Sequence, residues 1–208
     1  MQTDWASENL QVIRTLMERS TVYRRALAPI MSALGVTGTI AAAAGFFINF
    51  TSARTLVLFW MGISIIAILE AFLLVRRQAI NASEHYWTPP TRRVMQAVLP
   101  PLFAGFTAGL PFLFCGELRG YSISMLVPAW IIFYGCALHS AGFFMPRGIK
   151  LFGWGFTLSG CVLGGALAMA PELPPISFFN IVMGFWFGVA HIAYGIYLYF
   201  TERSRSAV

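Results

Sequence analysis

Three ionisable side chains lie inside apolar stretches of this 208-residue chain: Glu70, His139 and His191. An ionised group costs about 2.5–3.5 kcal/mol at the centre of a membrane-spanning helix, so each of them needs a partner or a role. Carboxylate and imidazole groups within a membrane bind protons and cations, and imidazole also binds metals. We therefore treat the three residues as candidate ligand- or proton-binding residues.

Two adjacent prolines, Pro100 and Pro101, lie inside the third apolar stretch. They lack backbone donors and disturb the carbonyls one turn earlier, so we expect a broken helix that lines a cavity or finds other partners. With a rise of 1.5 Å per residue, Glu70, His139 and this break lie about 7.5–9 Å from the inner ends of their helices, and His191 lies about 13.5 Å away. Two interpretations remain open. The residues form a polar site that opens to the cytoplasm, or they form interhelical hydrogen bonds that only fix the helices in place.

The elements that would position these residues are six apolar stretches of 20–25 residues. About 20 apolar residues cross a bilayer as a helix, and only 11% of this chain is charged against about 25% in a soluble domain. This composition excludes a soluble enzyme, a DNA-binding domain and an extracellular receptor domain. The stretches are 26–50, 55–75, 94–115, 121–144, 151–170 and 176–200.

The predicted fold is all-α, with six transmembrane helices in three hairpins preceded by an N-terminal interfacial helix. Residues 1–25 are the interfacial segment, 26–200 the transmembrane bundle and 201–208 a cytoplasmic tail. Residues 4–22 are amphipathic, with Trp5 as an anchor. Such a helix lies on the inner leaflet or docks on a partner protein, and its pattern is the same in both cases.

The formal net charge of +6 is explained by membrane topology. With a cytoplasmic N-terminus, the inner segments hold twelve Lys and Arg residues and the outer loops hold Arg54 and Arg119. This bias predicts that both termini are cytoplasmic. The lipid bilayer, with its anionic head groups, is then the expected partner of the basic residues, and no nucleic acid is expected.

Both histidines share helix faces with glycines, so we expect them to point at neighbouring helices. His139 lies on the face of Gly135, and His191 on the face of Gly188. Because Glu70 and His139 have similar depths, we expect them to meet in the bundle interior near the proline pair. Arg76 and Arg147 are the competing donors for Glu70, reaching it by snorkelling.

The sequence gives weaker support for a haem site, a serine-protease site or a metal site. His139 and His191 would be the axial ligands of a haem, but their depths differ by about 6 Å, so haem or pigment binding is a minor alternative. Ser159 lacks the flanking residues of an intramembrane serine protease. The three cysteines are not clustered and form no CxxC motif, so we expect no metal site. Since the nucleophile motif is also absent, we expect no catalytic site.

The order of features resembles a group of uncharacterised bacterial six-span integral membrane proteins. The matching residues are 13–20 before the first span, Tyr134-Gly135 in the fourth span and 191–195 in the sixth. Members of that group are often encoded beside winged-helix transcriptional regulators. The resemblance implies a location in the bacterial inner membrane and a sensing role, and it implies no reaction.

We therefore expect a non-enzymatic inner-membrane protein with a sensing or regulatory role, or an accessory subunit. The expected partners are a second copy of the chain or a membrane-complex subunit. The alternatives are a small transporter or channel with an inward-facing polar site, and a haem- or pigment-binding membrane subunit. A transporter needs a water-accessible cavity at Glu70 and His139, whereas a non-transporting bundle seals them into hydrogen bonds.

Overall fold

The computed structural model describes residues 27–81, 87, 89–114, 122–145 and 147–206. The predicted interfacial helix at 4–22 lies outside the described residues, as does the loop that contains Cys115 and Arg119. Within the described part of the chain the backbone forms helices joined by short turns. They are α1 (Leu27–Ile48), α2 (Ala53–Asn81), α3 (Pro89–Phe114), α4 (Ile123–Ala141), α5 (Arg147–Met169), α6 (Ile176–Gly184) and α7 (Ala190–Ser206), with a π-helical turn at Phe185–Val189.

These helices make six segments long and apolar enough to cross a membrane. Helices α1 to α5 provide one segment each, and α6, the π-helical turn and α7 together provide the sixth span, Ile176–Thr201. The prediction of an all-α polytopic membrane protein is therefore confirmed. Helix α2 continues to Asn81 and α3 begins at Pro89, so these helices extend past the apolar stretches and carry arginines about one turn from these ends.

The predicted break in the third span is wrong, because α3 is helical through Pro100 and Pro101. Proline removes a hydrogen-bond donor, but its fixed φ is compatible with a helix. Since the bilayer interior offers no water to replace lost bonds, the surrounding helix keeps its remaining backbone bonds instead of opening. Pro100 is exposed and Pro101 is half-buried.

Glycines bring two pairs of helices into backbone contact. Along α1 and the sixth span, a Cβ on Gly188 would lie 2.8 Å from the Thr39 nitrogen. Along α4 and α5, a Cβ on Gly135 would lie 2.6 Å from the Thr157 nitrogen. Neither spacing admits a side chain, so the close approach requires glycine at these positions. The first pair joins the beginning and the end of the described bundle, and the second crosses between two predicted hairpins.

A continuous apolar core fills the space between these helices. Its largest fully buried aromatic side chains are Phe112 of α3, Phe156 of α5 and Phe179 of α6. Many other large apolar side chains point outwards, including Phe47 at 85% exposed. In a membrane-spanning chain such residues face lipid. Buried polar side chains, such as those of Asn180 and His191, are therefore exceptions within an apolar interior.

Candidate functional site

His191 is held on both sides of its ring in the centre of the bundle. Its side chain is 1% exposed, Nε2 lies 2.7 Å from the Tyr134 hydroxyl, and Nδ1 lies 2.9 Å from the Trp186 carbonyl oxygen. A carbonyl can only accept, so Nδ1 carries the proton and donates it to Trp186. The lone pair on Nε2 then accepts the hydroxyl proton of Tyr134. The ring thus connects α4 to the sixth span.

His191 lies two residues after the π-helical turn and forms a hydrogen bond back to it. Trp186 lies within this turn, and its carbonyl accepts from the imidazole five residues later. A π-helical turn widens the helix locally, and such turns are frequent at functional sites. The rings of Phe152, Phe156 and Phe187 surround the imidazole at 5.4–6.2 Å between centroids. The site is therefore apolar on all these sides and hydrogen-bonded at both nitrogens.

Asn180 forms a second polar link, which the sequence analysis missed. Its side chain is 3% exposed; its oxygen accepts from Trp60 Nε1 of α2 at 3.1 Å, and its amide nitrogen donates to the Ala42 carbonyl of α1 at 2.9 Å. The amide connects three spans. An uncharged Asn in an apolar stretch is not flagged by an inventory of ionisable groups, although a buried amide needs partners as strictly as a charge does.

Glu70 does not pair with His139. Its carboxylate accepts a hydrogen bond of 2.8 Å from the Thr37 hydroxyl of α1. The expectation of His139 as the partner is thus wrong. Arg76 forms no ion pair with Glu70 among the described residues, and the side chain of Arg147 lies outside them. Because α1 packs beside α2, a short hydroxyl reaches Glu70 from the neighbouring helix. Threonine is common in apolar stretches, so its position gave no signal in the sequence.

His139 lies at the interface of α4 and α5, as expected from its glycine face. A Cβ on Gly153 would lie 2.6 Å from the His139 backbone nitrogen, and its ring contacts Phe143 and Trp154 edge-on at 5.4 Å. The Nδ1 atom is buried and has no hydrogen-bond partner among the described residues. The structure places His139 beside α5 and Glu70 beside α1, so the two residues belong to separate sites.

Pro100 and Pro101 lie on α3, away from the separate sites of Glu70 and His139. A polar contact between this helix and α4 lies further along α3, where Trp130 Nε1 donates to the Gly105 carbonyl at 2.8 Å. The five candidate residues therefore do not converge on one polar cavity. They occupy separate helix interfaces, and His191 has the most complete set of partners.

This arrangement bears on metal and haem binding. Both ring nitrogens of His191 are occupied by hydrogen bonds, so neither is available to iron in this conformation. The described residues contain no group of three or more His, Cys, Asp or Glu side chains that could hold a metal ion. No protein-family model, curated protein or solved structure matches this chain.

Proposed function

We propose that this protein is a non-enzymatic component of a bacterial inner membrane with a sensing or regulatory role. Both termini face the cytoplasm in this proposal, in line with the twelve-to-two distribution of basic residues. The observation that carries it is the hydrogen-bonded His191 beside the π-helical turn of the sixth span. The proposed partners are a second copy of the chain or another membrane protein.

The bonding of the polar side chains favours such a role over catalysis. Asn180 and Glu70 form hydrogen bonds to neighbouring helices, and His191 bonds both to Tyr134 of α4 and to Trp186 of its own span. Catalytic groups need a free reacting atom within reach of a substrate. Interhelical bonds of this kind instead set which arrangement of helices is stable.

The π-helical turn provides a two-state element for signalling. Converting a π turn to an α turn shifts the register of everything beyond it by one residue, about 100° of rotation and 1.5 Å of rise. In this protein α7 lies beyond the turn and continues to Ser206. Breaking the bond from His191 to Trp186 would favour the α turn, and a rotated α7 would present another face to a cytoplasmic partner.

The test uses the full-length tagged protein in its native host. We expect a partner to co-purify from solubilised membranes, and deletion of the gene to change transcription of a small set of genes. Tyr134→Phe removes the hydroxyl bonded to His191 and should reproduce the deletion at unchanged protein level. Tyr199→Phe, at an exposed position of α7, is the matched control and should behave as wild type.

Two results would contradict the proposal. One is an unchanged transcript profile in the deletion strain together with no co-purifying partner. The other is equal behaviour of Tyr134→Phe and Tyr199→Phe in both measurements, because the His191 link would then have no part in the output.

A second candidate, a small transporter with an inward-facing site, is favoured by two groups. Glu70 is an ionisable group at the interface of α1 and α2, and His139 Nδ1 lacks a partner among the described residues. Proteoliposomes loaded with a pH-sensitive dye test it. A proton flux lost in Glu70→Gln supports transport, and a flux equal to that of empty vesicles contradicts it.

A further inference from the structure

Four arginines are exposed where α2 ends and α3 begins: Arg76, Arg77, Arg92 and Arg93. The two carboxylates whose side chains the structure describes do not neutralise them. Glu70 accepts its hydrogen bond from Thr37, and Glu172 lies at the opposite end of the bundle. These guanidinium groups therefore lie where two spans leave the apolar region, at the depth of lipid head groups.

Helical periodicity places two of the arginines on the same side of the pair formed by α2 and α3. A Cβ on Gly109 of α3 would lie 2.8 Å from Met61 Sδ of α2, so these positions mark the line of contact. At about 100° per residue, Arg76 lies about 60° around α2 from Met61, and Arg92 about 100° around α3 from Gly109. Because the helices are antiparallel, these rotations bring both side chains to the same, outward side.

The groove below the two arginines is apolar. Leu69 of α2 and Leu99 of α3 are 56% and 53% exposed on this side, and Phe103 is 70% exposed one turn further along α3. A basic pair above an exposed apolar channel fits a molecule with an anionic head and aliphatic chains. A soluble anion would contact only the two arginines and would leave the apolar side chains below them without a ligand.

We propose that the outward groove of α2 and α3 binds an anionic phospholipid, with its phosphate between Arg76 and Arg92 and an acyl chain along Leu69, Leu99 and Phe103. The two guanidinium groups donate charge-assisted hydrogen bonds to the phosphate oxygens. The site is independent of the proposed sensing role, since none of its residues contacts His191 or Asn180.

The adjacent arginines provide a control that matches charge, depth and residue type. Arg77 and Arg93 each lie about 160° around their helices from the line of contact, so helical periodicity places them on the faces opposite to it. The double variants Arg76→Gln/Arg92→Gln and Arg77→Gln/Arg93→Gln therefore lose the same charge at the same end of the protein. If the lipid binds in the groove, the first double variant should lose more affinity than the second. If the attraction is diffuse, both should lose the same affinity.

The experiment is native mass spectrometry of the full-length protein in neutral detergent, titrated with dioleoyl phosphatidylglycerol or dioleoyl phosphatidylcholine. We expect the wild type to retain phosphatidylglycerol preferentially. Arg76→Gln/Arg92→Gln should weaken this binding about tenfold or more, and Arg77→Gln/Arg93→Gln less than about threefold. A parallel arm with glycerol phosphate, which has the head group without chains, should show no retained adduct.

Three results would overturn the proposal: equal retention of both lipids by the wild type, equal loss in the two double variants, or retention of glycerol phosphate as tight as that of the lipid. If Arg76→Gln/Arg92→Gln does not fold, Arg76→Lys/Arg92→Lys replaces it. Lysine keeps the charge but loses the bidentate geometry, so weaker lipid binding is still expected, and unchanged binding contradicts a phosphate held by guanidinium groups.

Discussion

The hydroxyl of Tyr134 on α4 donates a hydrogen bond of 2.7 Å to Nε2 of His191 in the sixth span. The same imidazole donates from Nδ1 to the Trp186 carbonyl in the π-helical turn. One side chain therefore connects the pair of α4 and α5 with the pair of α1 and the sixth span.

Tyr134→Phe should destabilise the protein by about 1–3 kcal/mol, because it leaves the buried Nε2 of His191 without a donor. The measurement is the free energy of unfolding in a titration of detergent micelles with sodium dodecyl sulfate. Tyr199→Phe, which removes an exposed hydroxyl, is the control and should change it by less than about 0.5 kcal/mol. Equal effects would show that the buried bond contributes nothing.

Asn180→Leu should also destabilise the bundle, since it removes the acceptor of Trp60 and the donor to Ala42 without leaving a cavity. We expect about 1–2 kcal/mol for the two bonds together. A double-mutant cycle with Trp60→Phe isolates the first bond and should give a coupling energy of about 0.5–1 kcal/mol. Additive effects of the two changes would mean that Trp60 and Asn180 do not interact.

Gly38→Ala should weaken the contact between α1 and the sixth span. The added methyl group would collide with the Phe187 carbonyl and lie 2.9 Å from the Gly188 nitrogen, both of them backbone atoms that cannot rotate away. Overpacking of this kind costs about 1–3 kcal/mol. Gly62→Ala on α2 is the control, because nothing lies within 4 Å of its Cβ position. It should leave the free energy of unfolding unchanged or raise it slightly.

Glu70→Gln should leave the fold intact, because the amide oxygen still accepts the hydroxyl proton of Thr37. Thr37→Val removes the donor and should cost about 0.6 kcal/mol, a typical interhelical bond in a membrane. The measurement is the free energy of unfolding of each variant in the same titration with sodium dodecyl sulfate. A large loss of stability in Glu70→Gln would show that the charge itself holds α1 and α2 together.

A reporter fused after Val208 should be active only if it is of a cytoplasmic type. The physical reason is the excess of Lys and Arg in the segments assigned to the inner side. Alkaline phosphatase, which is active only outside the cytoplasm, is the complementary reporter. Its activity at the C-terminus would reverse the proposed topology.

The sequence by itself predicted the class of this protein and the approximate position of each span. Uninterrupted apolar stretches of bilayer length leave helices as the available structure, because backbone groups must be satisfied within each segment. It also predicted that His191 would face a neighbouring helix, from the glycines on its side. These inferences depend on composition and on helical periodicity, both of which are local properties of the chain.

Only the tertiary structure decided which polar groups meet. Depth along a helix is readable from a sequence, but the neighbours of a helix depend on how all six spans pack. Glu70 and His139 have matching depths, yet their recorded contacts are with α1 and α5. The π-helical turn was equally hidden from the sequence, although the carbonyl of Trp186 within it accepts a hydrogen bond from the His191 imidazole. Whether a segment is helical depends on backbone hydrogen bonds within that segment. Which side chains meet depends on close packing between segments that are distant in the chain, and a single sequence carries no direct signal for this packing.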